Sequence, residues 1–188
     1  MFSLKHSLSV CVVLASSYAL PTFAADAAAG AEKAAICAGC HGPNGKSSNA
    51  QWPNLAAQQS AYLAAQLKAF KSGSRANPMM QSMAANLNDQ DIDNLAAYFA
   101  SQPPAKAGGD PALAKTGAEK AGMCLGCHGD QGQGNAEIPR LAGQHPSYLV
   151  TQLKNFKSGA RQNSHMQAMA NTLSEDDMKA LAAYLGSL

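Results

Sequence analysis

Charge is scarce in this chain and almost evenly split: Lys and Arg number 14 against 12 Asp and Glu, a formal net charge of +2. No basic run and no arginine cluster occurs, which removes the electrostatic footprint of a nucleic-acid binder. Aromatic residues make up 6% of the chain, with a single tryptophan. Beyond roughly the first twenty residues there is no long apolar run, so a polytopic membrane protein is excluded. Disorder is excluded as well, because 46% of residues are hydrophobic and only 14% charged. Strand-like alternation of apolar and polar residues is also missing. What the chain does have is five cysteines in 188 residues.

The first cysteine belongs to a segment of its own. Lys5 and His6 precede an apolar stretch from Leu8 to Leu20, closed by Pro21 and followed by Thr22, Phe23, Ala24 and Ala25. This is the layout of a secretory signal over residues 1–24, cut after Ala24; a membrane anchor would need about 20 apolar residues. Cys11 leaves with it, and the exported chain keeps Cys37, Cys40, Cys124 and Cys127. The expected compartment is the bacterial periplasm.

The remainder is one unit written twice. Residues Tyr62 to Gly73 (YLAAQLKAFKSG) and Tyr148 to Gly159 (YLVTQLKNFKSG) agree at nine of twelve positions. Arg75, Asn77, Met80, Met83, Leu87, Asp91 and Tyr98 return as Arg161, Asn163, Met166, Met169, Leu173, Asp177 and Tyr184. Upstream, Cys37-Ala-Gly-Cys40-His41 returns as Cys124-Leu-Gly-Cys127-His128, and Pro53 and Pro139 close the loops that follow. Pro103-Pro104 and Gly108-Gly109 mark the joint. The expected layout is a first domain over 25–102, a linker over 103–111 and a second domain over 112–188.

Each half reads as helical. Asn88 with Asp91, and Ser174 with Asp177, are placed as N-cap and N3 of a last helix. Ile92, Leu95, Ala96 and Phe99 follow at helical spacing, as do Met178, Leu181, Ala182 and Leu185. Leu63, Leu67 and Phe70, with Leu149, Leu153 and Phe156, give a second apolar stripe per half. Few large apolar side chains serve each half and alanine fills the rest, a core too small to be stable unless a large apolar group completes it.

The duplicated C-x-x-C-H motif supplies that group. It is a haem-attachment signature: two cysteines three apart reach the two vinyl groups of one porphyrin, and the adjoining histidine, His41 or His128, lies beneath the iron. A thioredoxin-like redox pair needs no such histidine and belongs near a βαβ unit, whereas structural zinc wants four ligands in one domain. Two covalently bound haem c groups are expected. The sixth iron ligand separates electron transfer from haem enzymology. Met80 and Met166 are candidates, as thioether sulfur favours ferrous iron; Met83 and Met169 repeat too and stay open. His165, whose counterpart is Met79, is a competing ligand, and His145, the counterpart of Gln59, is expected to face solvent.

On these residues the chain resembles the dihaem cytochrome c4 family over nearly all of Asp26 to Leu188. The resemblance is carried by both C-x-x-C-H motifs, Pro53 to Ala56 and Pro139 to Ala142, the Tyr-Leu and Gln-Leu helix, and the Met followed by Leu-x-x-x-Asp and Ala-Ala-Tyr. It implies an all-α protein of two tandem class I cytochrome c domains, each around a covalent haem, packed face to face about a pseudo-twofold axis. It further implies that Met80 and Met166 are the distal ligands and that the Pro53 and Pro139 carbonyls orient His41 and His128. The expected function is a periplasmic carrier of single electrons, passing them towards a haem-copper terminal oxidase. The alternatives are a dihaem subunit of a dehydrogenase such as a flavocytochrome, or a haem enzyme such as a peroxidase, for which no distal acid/base constellation stands out. Partners are expected to be redox proteins, with peripheral association at a membrane surface and no nucleic acid.

Overall fold

The computed structural model describes residues 24–188; the expected signal segment, apart from its last residue, lies outside them. The first half forms α1 (Ala27–Ala34), α2 (Ala38–His41), α3 (Ser60–Ser72), α4 (Pro78–Ala84) and α5 (Asp89–Ser101). The second forms α6 (Pro111–Lys120), α7 (Gly122–His128), α8 (Pro146–Lys157), α9 (Ser164–Asn171) and α10 (Glu175–Ser187). No strand occurs among the described residues; Asn135 and Ile138 form one isolated bridge.

In each half the first and last helices cross and pack, α1 on α5 and α6 on α10, while the third packs on the last. Glycine permits the crossing. A Cβ on Gly30 would stand 2.1 Å from the Asn94 carbonyl oxygen, and one on Gly117 would stand 2.0 Å from that of Ala180. Both capping boxes form as the sequence predicts: Asn88 accepts from Asp91 N–H while Asp91 accepts from Asn88 N–H, and Ser174 pairs with Asp177 in the same way. Asp91 also holds Lys33 of α1 at 2.7 Å, and Asp177 holds Lys120 of α6 at 2.8 Å. Each carboxylate therefore starts one helix and fastens another.

The cores are small. Ala34, Leu63, Leu95, Ala96 and Phe99 form one cluster, with Cys37 packed against it; Leu149, Ala182 and Leu185 form the other. Meanwhile Ile36 and Met123, which directly precede the first cysteine of each motif, are 70% and 60% exposed. Apolar surface is left open beside both motifs.

The halves meet about a pseudo-twofold axis, and reciprocal pairs make the contact. Gln58 accepts from Arg140 N–H at 2.7 Å and donates to the Arg140 carbonyl at 3.0 Å. Gln144 does the same for Asn54, at 2.8 and 2.9 Å. Gln59 donates to the Gln133 carbonyl at 2.9 Å, and its counterpart His145 donates from Nε2 to the Ser47 carbonyl at 3.0 Å. His145 is thus buried in the seam, which corrects the expectation that it faces solvent: as the equivalent of a seam glutamine, it spends its N–H on a backbone carbonyl in the corresponding loop of the other half. The connecting segment is no loose tether either, because Ala107 and Gly108 donate to the Gly143 and Gly186 carbonyls at 3.1 and 3.0 Å.

Candidate haem-binding sites

The cysteine motifs lie where the first helix of each half ends. In the first half α1 stops at Ala34 and a new short helix begins, with Cys37 at its N-cap position and Cys40 and His41 inside it. In the second half α7 carries Cys124, Cys127 and His128 together. All four thiols are free and none is fully buried. Burial pushes the Cys37 and Cys124 thiols above their ordinary range, and the neighbouring Cys40 and Cys127 add to it.

His41 and His128 are buried, and each is fixed by one hydrogen bond. Nδ1 of His41 donates to the Pro53 carbonyl at 2.9 Å, and Nδ1 of His128 to the Pro139 carbonyl at 2.8 Å. A carbonyl only accepts, so the ring proton sits on Nδ1 and the Nε2 lone pair is free. Burial lowers both imidazole pKa values, while the proline carbonyls pull the other way. The neutral ring is the ligating form. Nε2 makes no protein hydrogen bond, yet no sealed side-chain nitrogen or oxygen lacks a partner among the described residues. Each Nε2 therefore faces accessible space.

The methionines lie on separate helices. Asn77 caps α4 and accepts from Met80 N–H at 2.9 Å; Asn163 caps α9 and accepts from Met166 N–H, also at 2.9 Å. Pro78 occupies the first turn of α4. Both α4 and α9 pack mainly against the long helix of their own half, α3 or α8. Met80 and Met166 are half-buried, whereas Met79 is 59% exposed, Met83 is 39% exposed, and His165 is exposed. No three His, Cys, Asp or Glu side chains gather as a metal cage among the described residues. A buried histidine with a free Nε2, two free thiols on one turn, adjoining exposed apolar side chains and a small core fit a covalently held porphyrin in each half.

Several residues at the seam carried no role in the sequence. Tyr62, Gln66, Arg75 and their counterparts Tyr148, Gln152 and Arg161 form one hydrogen-bonded cluster across it. The available signal was their repetition in both halves at polar positions.

The family model described as Cytochrome c matches residues 27–103 and again 114–188. Cytochrome c4 of Azotobacter vinelandii is 39% identical over 189 residues, covering 88% of this chain and 90% of the relative. The crystal structure of reduced recombinant cytochrome c4 from Pseudomonas stutzeri superposes with a TM-score of 0.82 at 40% identity, covering 88% of this chain and all of that one. A protein of Stutzerimonas stutzeri (strain A1501) described as a thiosulfate dehydrogenase electron acceptor is 36% identical over 177 residues, covering 85% of this chain and 82% of its own length.

Proposed function

The chain belongs to the cytochrome c family and within it to the dihaem cytochrome c4 proteins, with two covalently bound haem c groups, and from that premise we propose that it is a periplasmic electron carrier whose domains span 25–102 and 112–188. Cys37 and Cys40 attach one haem and Cys124 and Cys127 the other. His41 with Met80, and His128 with Met166, close the two iron coordination shells. Bound haem c supplies one chemistry, the one-electron interconversion of ferrous and ferric iron.

The chain's own residues serve that chemistry by holding still. The Pro53 and Pro139 carbonyls fix the tautomer and the plane of each histidine, the outer-sphere support that orients a metal ligand. Asn77 and Asn163 pin the backbone of each methionine. The single observation that carries the reading is the buried histidine beside two free thiols, its Nδ1 spent on a proline carbonyl and its Nε2 free, built twice in one chain.

The signal-like first segment supports export to the periplasm, and the acceptor proposed for the electrons is a terminal oxidase. A second reading, the electron-accepting subunit of a dehydrogenase, has specific support in the relative described as a thiosulfate dehydrogenase electron acceptor. Intact mass and spectra of the exported protein test the proposal. Two haems should remain attached after denaturation and extraction into acidic organic solvent, and the reduced protein should bind carbon monoxide poorly. Loss of haem on extraction overturns covalent attachment; rapid carbon monoxide binding or peroxide turnover overturns the closed coordination shell. Copurification of a second chain under native conditions favours the dehydrogenase subunit over the free carrier.

A further inference from the structure

On the linker side of the seam lies a cleft of about 460 Å³. Three parts of the chain wall it: Lys46, Ser47 and Asn54 of the loop after the first C-x-x-C-H motif, the linker from Pro104 to Ala107, and His145 at the head of α8. The cleft is large enough for a tetrahedral oxyanion with several waters around it. No carboxylate lines it among the described residues.

Two of its polar side chains are already spent. Ser47 Oγ donates to the Asn49 carbonyl at 3.0 Å and accepts from Asn49 N–H at 3.1 Å. Asn54 accepts through Oδ1 from Ser47 N–H at 2.8 Å and donates through Nδ2 to the Gly143 carbonyl at 3.0 Å. Three groups are left over. Lys46 and Lys106 are exposed, and none of the ion pairs among the described residues involves either. His145 is only 9% exposed and donates from Nε2 to the Ser47 carbonyl. Its Nδ1 makes no protein hydrogen bond, yet no sealed side-chain nitrogen lacks a partner among the described residues. Nδ1 therefore opens on the cleft that the ring lines. Because a carbonyl only accepts, the ring proton sits on Nε2, and Nδ1 of the neutral ring presents a lone pair.

The leftover groups specify a ligand. Two ammonium groups call for anionic oxygens, and a buried lone pair calls for a hydrogen donor. Hydrogen phosphate carries both on one atom, whereas sulfate and carboxylates near neutral pH carry no proton to give. The other half holds no copy of this arrangement. The Gly45 carbonyl receives Leu55 and Ala56 N–H just as the Gly132 carbonyl receives Leu141 and Ala142, so Lys46 corresponds to Gln133, and His145 corresponds to Gln59.

We propose that this cleft is a binding site for one inorganic hydrogen phosphate ion, with the Lys46 and Lys106 ammonium groups on its anionic oxygens and His145 Nδ1 accepting from its P–OH. The three groups come from the first domain, the linker and the second domain, so the bound ion bridges all three. The site goes beyond the electron-carrier reading and does not depend on it.

The test is calorimetric titration of the exported holoprotein at pH 8 and constant ionic strength with inorganic phosphate, sulfate and glycerol 3-phosphate. At that pH the sulfate ion and the phosphate ester carry no acidic proton, so only inorganic phosphate offers a P–OH. It should bind once per chain, and the other two about fivefold more weakly, the worth of one ordinary hydrogen bond. Lys46→Gln and Lys106→Gln should each weaken phosphate binding about tenfold, the loss of a hydrogen bond from a charged donor. Lys68→Gln, an exposed lysine of α3 away from the cleft, should leave it unchanged. His145→Phe should erase the preference for phosphate over sulfate while leaving the sulfate affinity unchanged, an outcome that a merely structural role for the ring does not produce. The urea midpoint and visible spectrum of each variant, taken without phosphate, verify that it is folded. Absence of saturable phosphate binding to the wild type overturns the site, as does equal weakening by Lys68→Gln, which is the mark of diffuse surface charge. Sulfate or the ester binding the wild type as tightly as phosphate overturns the acceptor role of His145, and with it the hydrogen phosphate assignment.

Discussion

Gln58 grips Arg140 by its main chain: its Oε1 accepts from Arg140 N–H at 2.7 Å and its Nε2 donates to the Arg140 carbonyl at 3.0 Å. Gln144 grips Asn54 in the same way from the other side. Both glutamines are buried, so the two domains are joined by amide pairs that copy the geometry of a backbone ladder.

Replacing Gln58 with leucine should strip partners from one N–H and one C=O in the seam. Each unsatisfied buried group costs about 1–3 kcal/mol. The expected outcome is that denaturant unfolding, a single transition in the wild type, separates into two in the variant while the visible spectrum stays unchanged. One unshifted transition would show that the seam contributes little to stability.

The glycine crossings give a second expectation. Gly30→Ala or Gly117→Ala places a methyl group within about van der Waals overlap of a carbonyl oxygen, and neither α5 nor α10 can retreat without disturbing its own core. A loss of roughly 1–3 kcal/mol is expected for each, read as a lower midpoint in urea. Gly122→Ala, outside the attachment motif, is the control, since nothing lies near a Cβ there, and its midpoint should hardly move.

Ligand assignment is checked by truncation. Met80→Ala and Met166→Ala should each remove half of the weak long-wavelength band of sulfur-ligated ferric iron, and His165→Ala should remove none. If Met83→Ala or Met169→Ala halves the band instead, the register of the methionine helix is off by one turn.

Stability should fall in acid through Asp91 and Asp177. Hydrogen bonding to Lys33 chiefly lowers the Asp91 pKa, with help from the Asn88 backbone N–H; for Asp177 the causes are Lys120 first and then Ser174. A carboxylate whose folded pKa is depressed contributes stability above its unfolded pKa of about 3.9, and that contribution is lost as pH falls through the folded value. Lys120 has the opposite sign: its pKa is raised by Asp177, so its contribution is lost as pH rises past the unfolded lysine value of about 10.4. Thermal melts from pH 7 down to pH 2 should therefore drop more steeply in the wild type than in Lys33→Met or Lys120→Met. Parallel curves would show that the bridges are thermodynamically silent.

The sequence by itself determined the local features. The helix starts at Asn88 and Ser174 depend on residues three apart, and the porphyrin-attachment motif on five consecutive residues, so both can be read without knowing any distant neighbour. Duplication was equally legible, because it is a property of the string. Tertiary structure decided everything that needs two distant residues to meet. His145 looked like a surface side chain until its equivalence to Gln59 placed it on the Ser47 carbonyl, 98 positions away in the chain. Gln58, Tyr62, Gln66 and Arg75 are polar positions with no partner legible in the sequence, and only the pseudo-twofold packing joined them to the other half. A polar side chain carries no mark of burial in its own periodicity, since amides and guanidinium groups are satisfied equally by water and by a partner. That choice is made when two surfaces close and water leaves, an event encoded in the shape of both halves together.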